Sequence, residues 1–304
     1  MSWLPAWEGF IRVVEGGSMA AAARTLGCTR AQISKQMAEL ERRLGARLFE
    51  RSTRRLALTP AGEVFHQHAL RALEAVDGTE IAMRNLGDRP CGTLRVSATV
   101  SFGRHCVAPL LPGVAAAHPD LEIELILTDH VVDLVGDSID LALRMTRLPP
   151  DDAVARRIVS LRRVVCAAPA YLERHGTPHL PLDLLQHQCL SYLLGDNKSW
   201  VLVDGNGVEA VVPVRSRIHF NNIDCMLDAV LAGHGIAILP TYLCHRELAG
   251  GILHTVLDGY EPDVVFGRDL YACYTPSRVR VPKVRVFLDA LLQRFQPVPP
   301  WEGN

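Results

Sequence analysis

The chain has 304 residues, of which 48% are hydrophobic and 21% charged, and its formal net charge is −1. This composition excludes a disordered or collagen-like chain, and the length excludes a small disulfide-bonded scaffold while predicting two or three folded domains. The first residues lack the basic and apolar regions of a signal peptide, and no apolar stretch is long enough to span a membrane. We therefore expect a cytoplasmic protein without membrane partners.

Positive charge is concentrated near the N-terminus. Residues 24–55 contain nine basic side chains against three acidic ones, whereas residues 91–304 contain 19 basic and 23 acidic side chains. A short basic module on an otherwise slightly acidic chain is typical of a protein that contacts nucleic-acid phosphates. The charge distribution predicts an N-terminal DNA-binding module.

Helix-capping residues divide the first 45 residues into three short helices. An apolar helix runs from Trp7 to a pair of glycines, and Ser18 then caps the alanine-rich segment MAAAARTL. After Gly27, Thr29 and Gln32 have the spacing of a capping box, which predicts the start of the next helix. Two helices joined across such a short turn predict a helix-turn-helix.

The helix that follows Thr29 has two chemically different faces. We expect one face to be buried, and it carries Ile33, Met37, Leu40 and Leu44. The opposite face combines small residues with hydrogen-bond donors, namely Ala31, Ser34, Lys35, Ala38 and Arg42. Such a face suits a helix that enters the major groove of DNA. The alternative is an ordinary solvated face, which explains Arg42 but not the two alanines.

The segment LFERSTRRLALT predicts a β-hairpin after this helix, as in winged variants of the motif. Its arginines Arg51, Arg54 and Arg55 suit contact with phosphates or the minor groove, and the alternative is a solvated turn.

A long helix is predicted from Thr59, its cap, and Pro60, its first residue, to about Leu86. Its apolar stripe contains Phe65, Ala69, Ala72, Val76, Met83 and Leu86. This stripe is longer than a 60-residue module can cover. We expect it to pack against a second copy of the chain, so that the protein is at least a dimer.

After residue 90 the pattern alternates between strands and helices. Strands are predicted at 93–99, 121–128 and 140–145, separated by a helix capped by Ser101 and by a helix over VVDLVGD. A second cycle contains the strands VVCAAP, CLSYLL, WVLV and VRSRIHF, a helix from Asn222 to Ala232 and the strand GIAILP. The chain then returns with a strand at 269–275 and a closing helix. This order predicts two α/β lobes with largely parallel sheets.

Ligands of such sheets bind beside the carboxyl ends of the strands. The candidates there are Thr99, Val100, Ser101, Thr128, His130, Arg144, Thr146, Phe220, Asn221 and Asn222. Ser101 would donate a hydrogen bond beside free helix amides that favour an anion, or act as a helix cap only. Arg144 would pair with a ligand carboxylate, or with Asp140 or Asp129. We expect a small carboxylate-bearing or aromatic metabolite.

The string from Phe10 to Phe65 resembles the winged helix-turn-helix of LysR-type transcriptional regulators. The resemblance is carried by GGS before the alanine helix, ISKQMAELE, LGARLFER and LTPAG, and beyond the module by APLLPGVAAAHPDLEIEL, IDLALR, AAPAYLERHGTP and AGHGIAILP. The strings AAPAYLERHGTP and IDLALR look most like the subgroup of virulence, efflux and aromatic-metabolism regulators, which is too broad to name a ligand.

The resemblance implies an α+β multidomain chain and sets its domain boundaries. These are a winged helix-turn-helix at 1–59, a linker and dimerisation helix at 60–89, and an effector domain at 90–304 that resembles type 2 periplasmic binding proteins. Within the effector domain, lobe I comprises about 92–164 and 268–296, and lobe II about 165–267. The effector is expected between the lobes.

The resemblance also implies partners and DNA contacts. The partners are an inverted-repeat operator in double-stranded DNA, a small-molecule effector, further copies of the chain in a homodimer and homotetramer, and RNA polymerase if the protein activates transcription. The expected DNA-binding residues are Thr29, Arg30, Ala31, Gln32, Ser34, Lys35, Arg42, Arg51, Arg54 and Arg55. Thr29, Arg30 and Lys35 depart from the residues common in the family, so the operator sequence is not carried over.

Three other functions were weighed. No G-x-S-x-G, H-E-x-x-H, G-x-G-x-x-G or P-loop is present, and a pyridoxal-phosphate enzyme would need one of Lys35, Lys198 and Lys283 as its Schiff-base lysine. A thiol redox sensor would use Cys189 or Cys225. A metal site would use His175, His179 and His187. We expect a non-enzyme without cofactor or metal.

Overall fold

The chain folds into two units in a computed structural model that describes residues 3–50, 57–84, 89–150, 153–195 and 198–302. One unit comprises Met1–Asp88 with Asp133–Ser138, and the other comprises Arg89–Val132 with Ile139–Asn304. Each unit is described by itself below. No helix in the described ranges is long and apolar enough to cross a membrane.

The N-terminal unit contains the predicted helices. They are α1 (Trp3–Glu15), α2 (Met19–Thr25), α3 (Arg30–Leu44) and α4 (Pro60–Arg84). The Ser18 side chain accepts a hydrogen bond from Ala21 N at 3.1 Å, so the predicted cap of α2 is confirmed. Gly27 adopts a positive φ of 63°, which lets the chain turn sharply between α2 and α3.

Apolar side chains from all four helices form one core. It contains Phe10, Ile11, Val13, Ala22, Ala23, Ile33, Met37, Leu40, Leu48, Phe49, Ala69 and Leu70. Phe10 is central, because its ring lies 5.1 Å from Phe49 and 5.0 Å from Phe65. The prediction that Leu44 is buried was wrong, since its side chain is 37% exposed. Leu44 is the last residue of α3, and Gly45 turns the chain away with a φ of 65°.

The predicted hairpin after α3 is present at its base. Phe49 and Leu58 form an antiparallel bridge, and Glu50 N donates to Ala57 O at 2.8 Å. Glu41 Oε1 accepts from Leu48 N at 2.7 Å and so holds this base against α3. The predicted wing arginines Arg51, Arg54 and Arg55 lie outside the described residues.

The capping box of α3 gives a first test of how the module is stabilised. Gln32 N donates to Thr29 Oγ1 at 3.2 Å, and Thr29 N donates to Gln32 Oε1 at 2.8 Å. We expect Thr29→Ala to lower the free energy of unfolding by about 1 kcal/mol, because the amide of Gln32 loses its side-chain acceptor. Urea unfolding measures this loss. Thr25→Ala, on the exposed side of α2, is the control and should change stability by less than about 0.5 kcal/mol; an equal effect of both variants would contradict the capping role.

The long helix α4 is fixed at its start by a close backbone contact. Thr59 Oγ1 accepts from Gly62 N at 3.0 Å, as predicted for a cap. A Cβ at Gly62 would lie 2.1 Å from Leu48 O, so only glycine fits there. Further along, Ala69 is buried while Val76 is 36% exposed. The predicted stripe is therefore partly buried in the unit's own core and partly open; the side chain of Met83, and all of Leu86, lie outside the described part of the chain.

Lobe I of the C-terminal unit is built on a five-stranded sheet. Its strands are β1 (Gly92–Ala98), β2 (Leu121–Leu127), β3 (Leu141–Met145), β4 (Val154–Ser160) and, from the returning chain, β13 (Asp269–Tyr274), in the order β2-β1-β3-β13-β4. β1 is parallel to β2 and β3, and β13 is antiparallel to β3 and β4. Between β1 and β2 lie α5 (Val100–Phe102), a π-helical turn at Gly103–Val107, a 3-10 turn at Ala108–Leu110 and α6 (Leu111–Ala117). The closing helix α10 (Pro282–Phe295) buries Phe287 and Leu291.

Lobe II contains smaller sheets. Its strands are β5 (Arg163–Ala167), β6 (Ser191–Tyr192), β7 (Ser199–Asp204), β8 (Glu209–Pro213), β9 (His219–Phe220), β10 (Ile236–Pro240), β11 (His254–Val256) and β12 (Tyr260–Asp263). Its helices are α7 (Pro169–His175), α8 (Ile223–Leu231) and α9 (Thr241–Ala249). The sheets β10-β5-β11 and β12-β7-β8 are antiparallel throughout, whereas the short β6–β9 pair is parallel. The prediction of largely parallel pairing fails for this lobe.

Several predicted elements were wrong in detail. VVDLVGD is a turn, because Asp133 Oδ1 accepts from Val135 N and Asp137 Oδ2 accepts from Asp133 N, local bonds that compete with a helix. The predicted strands CLSYLL and VRSRIHF shrink to the two-residue β6 and β9. Ser101 does not cap α5: the helix begins at Val100, whose N donates to Asp129 Oδ1 at 3.1 Å.

Candidate functional site

The exposed face of α3 has the properties expected of a helix that reads DNA. Ala31, Ser34, Lys35, Ala38 and Arg42 are all exposed, while Ile33, Met37 and Leu40 on the other side are buried. The two alanines leave room for close approach to base edges, and Ser34 and Lys35 lie between them. Within the described residues, Lys35 forms no ion pair, so its charge is available to a phosphate or base.

The other described candidates on α3 differ in how free their side chains are. Arg30 is exposed and, in the described ranges, has no ion pair. Thr29 and Gln32 are exposed, but their side chains form the capping box. Arg42 pairs with Glu39, which raises the pKa of the arginine and lowers the pKa of the carboxyl. Arg42 must therefore exchange a carboxylate for a phosphate if it contacts DNA.

A cavity of about 380 Å³ lies between the two lobes of the C-terminal unit. Lobe I lines it with residues that follow β1 and β2 and with the last two residues of β3. Lobe II lines it with residues from β5 to α9, the end of β12 and the crossover that follows it. Its lining residues include Thr99, Ser101, Asp129, His130, Arg144, Met145, Arg163, Tyr192, Trp200, Met226, Ile238, Tyr242, Asp263, Val265 and Phe266. This volume falls in the range of sites for small metabolites.

The structure brings four of the ten predicted effector residues to this cavity: Thr99, Ser101, His130 and Arg144. The other six lie outside its lining. Thr128 Oγ1 accepts from His130 N, Thr146 Oγ1 donates to Leu148 O, and the Asn222 side chain caps α8. Val100 bonds Asp129 through its backbone, Phe220 is in β9, and Asn221 is exposed.

Arg144 does not form the ion pair that the sequence left open. Its Nη2 donates to Ser97 Oγ at 2.8 Å and to His130 O at 3.4 Å, and its Nη1 donates to Leu143 O at 3.1 Å. Asp140 pairs instead with Lys283 and Arg278. Burial lowers the pKa of Arg144, an effect partly offset by Cys273 and Asp129. Polar but uncharged groups thus hold this guanidinium in the lining.

A second arginine, Arg163, also lines the cavity and was not among the predicted residues. Its Nη1 donates to Gly267 O at 2.8 Å, and its Nη2 contacts Met145 Sδ at 3.7 Å. Burial lowers its pKa, and no carboxylate in the described ranges pairs with it. It lies at the amino end of β5, which is antiparallel to its neighbours β10 and β11. The expectation that ligands bind beside the carboxyl ends of parallel strands therefore does not point to it.

Aromatic rings and two hydroxyls complete the lining. Tyr192, Trp200, Tyr242 and Phe266 provide the rings. Burial raises the pKa of Tyr192 to about 12, so its phenol stays neutral. Thr99 Oγ1 and Ser101 Oγ are buried and have no well-aligned hydrogen-bond partner in the described ranges. Ser101 interacts weakly with the Tyr242 hydroxyl, which lowers the pKa of that phenol against the larger effect of burial.

The residues weighed for enzymatic or metal chemistry are placed elsewhere. Lys283 Nζ is buried 2.6 Å from Asp140 Oδ2, and Lys35 is on the exposed face of α3. Lys198 is exposed and interacts with another group of the protein. His187 Nδ1 lies within hydrogen-bonding distance of the Tyr171 hydroxyl, at 3.2 Å, and the described residues contain no group of three side chains able to hold a metal ion.

The cysteines differ sharply in their expected reactivity. Burial raises the pKa of Cys106 and of Cys189 to about 12, whereas Cys91 and Cys225 are exposed. At pH 8 the two buried thiols stay protonated, and the thiolate is the reactive form. We expect iodoacetamide to label Cys91 and Cys225 rapidly and Cys106 and Cys189 only after unfolding in urea, as read by peptide mass spectrometry. Rapid labelling of Cys189 in the folded protein would revive its candidacy as a redox sensor.

A DNA-reading helix-turn-helix and a two-lobed ligand-binding domain on one chain define a ligand-responsive transcriptional regulator. The family models agree. The model for the bacterial regulatory helix-turn-helix protein, lysR family, matches residues 4–63, and the model for the LysR substrate binding domain matches residues 87–296. The chain belongs to the LysR family of transcriptional regulators.

Individual relatives and solved structures match almost the whole chain. An HTH-type transcriptional regulator of Xanthomonas campestris pv. campestris is 37% identical over 292 residues, which cover 94% of this chain and 83% of the relative. The transcriptional activator AaeR of Escherichia coli is 31% identical, with 94% and 92% covered. The structure of the Vibrio cholerae virulence activator AphB has a TM-score of 0.62 at 27% identity and covers 96% of this chain and 99% of its own. CrgA from Neisseria meningitidis has a TM-score of 0.61 at 28% identity, with 95% and 97% covered.

Proposed function

We propose that the protein binds an inverted-repeat operator through α3 of two copies. Its affinity for that operator changes when a small anionic or aromatic effector fills the cavity between the lobes. The observation that carries the DNA part is the exposed face of α3, with Ser34 and Lys35 between two alanines. Ser34 reads a base edge, Lys35 contacts a base edge and the adjoining phosphate, and Arg30 contacts a neighbouring phosphate. Such a protein acts on the chromosome, in the bacterial cytoplasm.

Self-association follows from the operator geometry and from α4. An inverted repeat is read by a two-fold symmetric pair, and α4 leaves Val64 and Val76 exposed at 59% and 36%. We assign dimerisation to the helix at 60–89, DNA binding to 1–59 and effector binding to 90–304. Dimers then pair into a homotetramer. If the protein activates transcription, RNA polymerase is its further partner.

The effector part rests on the chemistry of the cavity lining. Two guanidiniums, Arg144 and Arg163, lie there without a paired carboxylate in the described ranges, beside the buried hydroxyls of Thr99 and Ser101. These groups can donate hydrogen bonds to an anion or a carboxylate, and of the lining carboxylates Asp263 is already paired with Arg147. An effector that binds one arrangement of the lobes better than another shifts the assembly toward that arrangement and so changes its affinity for DNA. We propose no catalytic step.

The thermal unfolding of full-length protein tests the effector part. We expect the small-molecule fraction of bacterial cells that express the protein to raise the melting temperature, because a ligand that binds only the folded state stabilises it. Val265→Trp fills the cavity from a partly exposed lining position and should abolish the rise without lowering the melting temperature of the ligand-free protein. An unchanged melting temperature in the wild type would contradict the effector role, and an equal rise in the variant would place the ligand elsewhere.

A further inference from the structure

The two cavity arginines differ in how completely the protein itself satisfies them. Arg144 donates to a serine hydroxyl and to two backbone carbonyls, and the Asp129 carboxylate lies in the same lining. Among the described residues, Arg163 donates to the Gly267 carbonyl, and its Nη2 contacts the Met145 thioether. A guanidinium has five N–H donors, and sulfur is a weak acceptor. Arg163 is therefore the arginine with donors left for a ligand.

The charges around the cavity leave room for one further negative charge. Of the lining carboxylates, Asp129 lies close enough to Arg144 to raise its pKa, and Asp263 forms an ion pair at 2.6 Å with Arg147, outside the lining. Arg268, the basic neighbour of Arg163, pairs with Glu261 at 3.2 Å. Asp263 also raises the pKa of Arg163, but among the described residues it forms no ion pair with that guanidinium. Burying such a charge is costly unless a partner arrives.

The aromatic residues of the lining suit a ligand that contains an aromatic ring. Trp200 is 5% exposed and Tyr242 is 5% exposed, and both belong to the cavity wall with Phe266. Rings pack favourably against rings in offset or edge-to-face arrangements. The volume of about 380 Å³ accommodates a one-ring or two-ring compound.

We infer that the cavity takes an aromatic monocarboxylate whose carboxylate is bound by Arg163, with its ring against Trp200, Tyr242 and Phe266. This inference rests on the proposed effector role and makes it specific. Arg163 then selects a negatively charged ligand, and the aromatic wall selects a ligand with an aromatic ring. Arg144 shapes the lobe I side of the cavity and contributes less to ligand affinity.

Calorimetric titration of full-length protein with four probes tests the ligand class. The probes are benzoate, the neutral benzamide, the dianion phthalate and the aliphatic hexanoate. We expect benzoate to bind at least about tenfold more tightly than each of the other three. If benzamide, phthalate or hexanoate binds as tightly as benzoate, the assigned class is wrong while the effector role stands. If none of the four binds, the inference is also overturned, and the effector role is judged by the melting-temperature shift with the cell fraction.

Variants test the role assigned to Arg163. Arg163→Gln should weaken benzoate at least about tenfold and leave benzamide unchanged, whereas Arg144→Gln should have a smaller effect. Arg156→Gln removes an exposed arginine outside the lining and is the matched control. Arg163→Lys keeps the charge and should retain part of the affinity, which separates loss of the contact from loss of folding. Equal benzoate affinity of the wild type and Arg163→Gln would overturn the assignment.

Discussion

Replacing Asp140 with alanine is expected to lower the free energy of unfolding of lobe I by about 3–5 kcal/mol. Asp140 is 3% exposed and Lys283, on α10, is 7% exposed. Asp140 Oδ2 lies 2.6 Å from Lys283 Nζ and also accepts from Arg95 N at 3.0 Å, and Oδ1 lies 3.2 Å from Arg278 Nη1. The variant leaves a buried ammonium without its counter-charge and an amide without its acceptor, and both are costly.

Urea unfolding of the full chain measures this loss, and two further variants show its cause. Asp289→Ala removes an exposed aspartate of α10 and should change stability by less than about 0.5 kcal/mol. Asp140→Ala combined with Lys283→Met removes both charges, and we expect it to recover part of the loss, because a buried apolar pair can replace an ion pair. A loss below about 1 kcal/mol for Asp140→Ala would show that the cluster does not hold α10 to the sheet.

The double variant Ser34→Ala, Lys35→Ala is expected to lower affinity for the operator by a factor of about 30 or more. Each side chain projects from the exposed face of α3, and one good base contact contributes about 1–3 kcal/mol. The two residues act differently. Loss of Lys35 should also reduce the slope of log affinity against log salt by about 1, because one fewer counterion is released, whereas loss of Ser34 should leave that slope unchanged.

Fluorescence anisotropy with a labelled operator at several salt concentrations measures both quantities. Arg246→Ala removes one positive charge from an exposed position of lobe II and is the control for net charge. It should leave affinity and slope unchanged. If the double variant keeps wild-type affinity for the operator while Arg246→Ala also does, α3 does not read the operator through this face.

The N-terminal unit was predictable because its signals are local. A cap such as Ser18 or Thr29 acts within three residues, and the buried positions of α3 recur with the helical period, so neighbours along the chain specify each element. The prediction that Leu44 is buried was wrong because the helical periodicity ends at this residue, where Gly45 turns the chain. The face of α3 followed from the same periodicity.

The cavity was only partly predictable because its residues meet through long-range contacts. Four candidates from lobe I were found by the rule for parallel strands, which holds for β1 and β3. Arg163 escaped that rule because the sheet around β5 is antiparallel. Asp129 was one of the two alternative partners considered for Arg144, but it accepts a bond from Val100 N, 29 positions away. No periodic pattern in the sequence indicates which distant residues form such a hydrogen bond.

Sequencing of the genomic DNA fragments that purified full-length protein retains is the most direct test of the account. Salt is raised during the selection until nonspecific phosphate binding is lost. We predict that a few sites with an inverted repeat remain bound and that the Ser34→Ala, Lys35→Ala variant retains none of them. Uniform recovery of fragments, or the same few sites with the variant, would contradict sequence-specific recognition through α3.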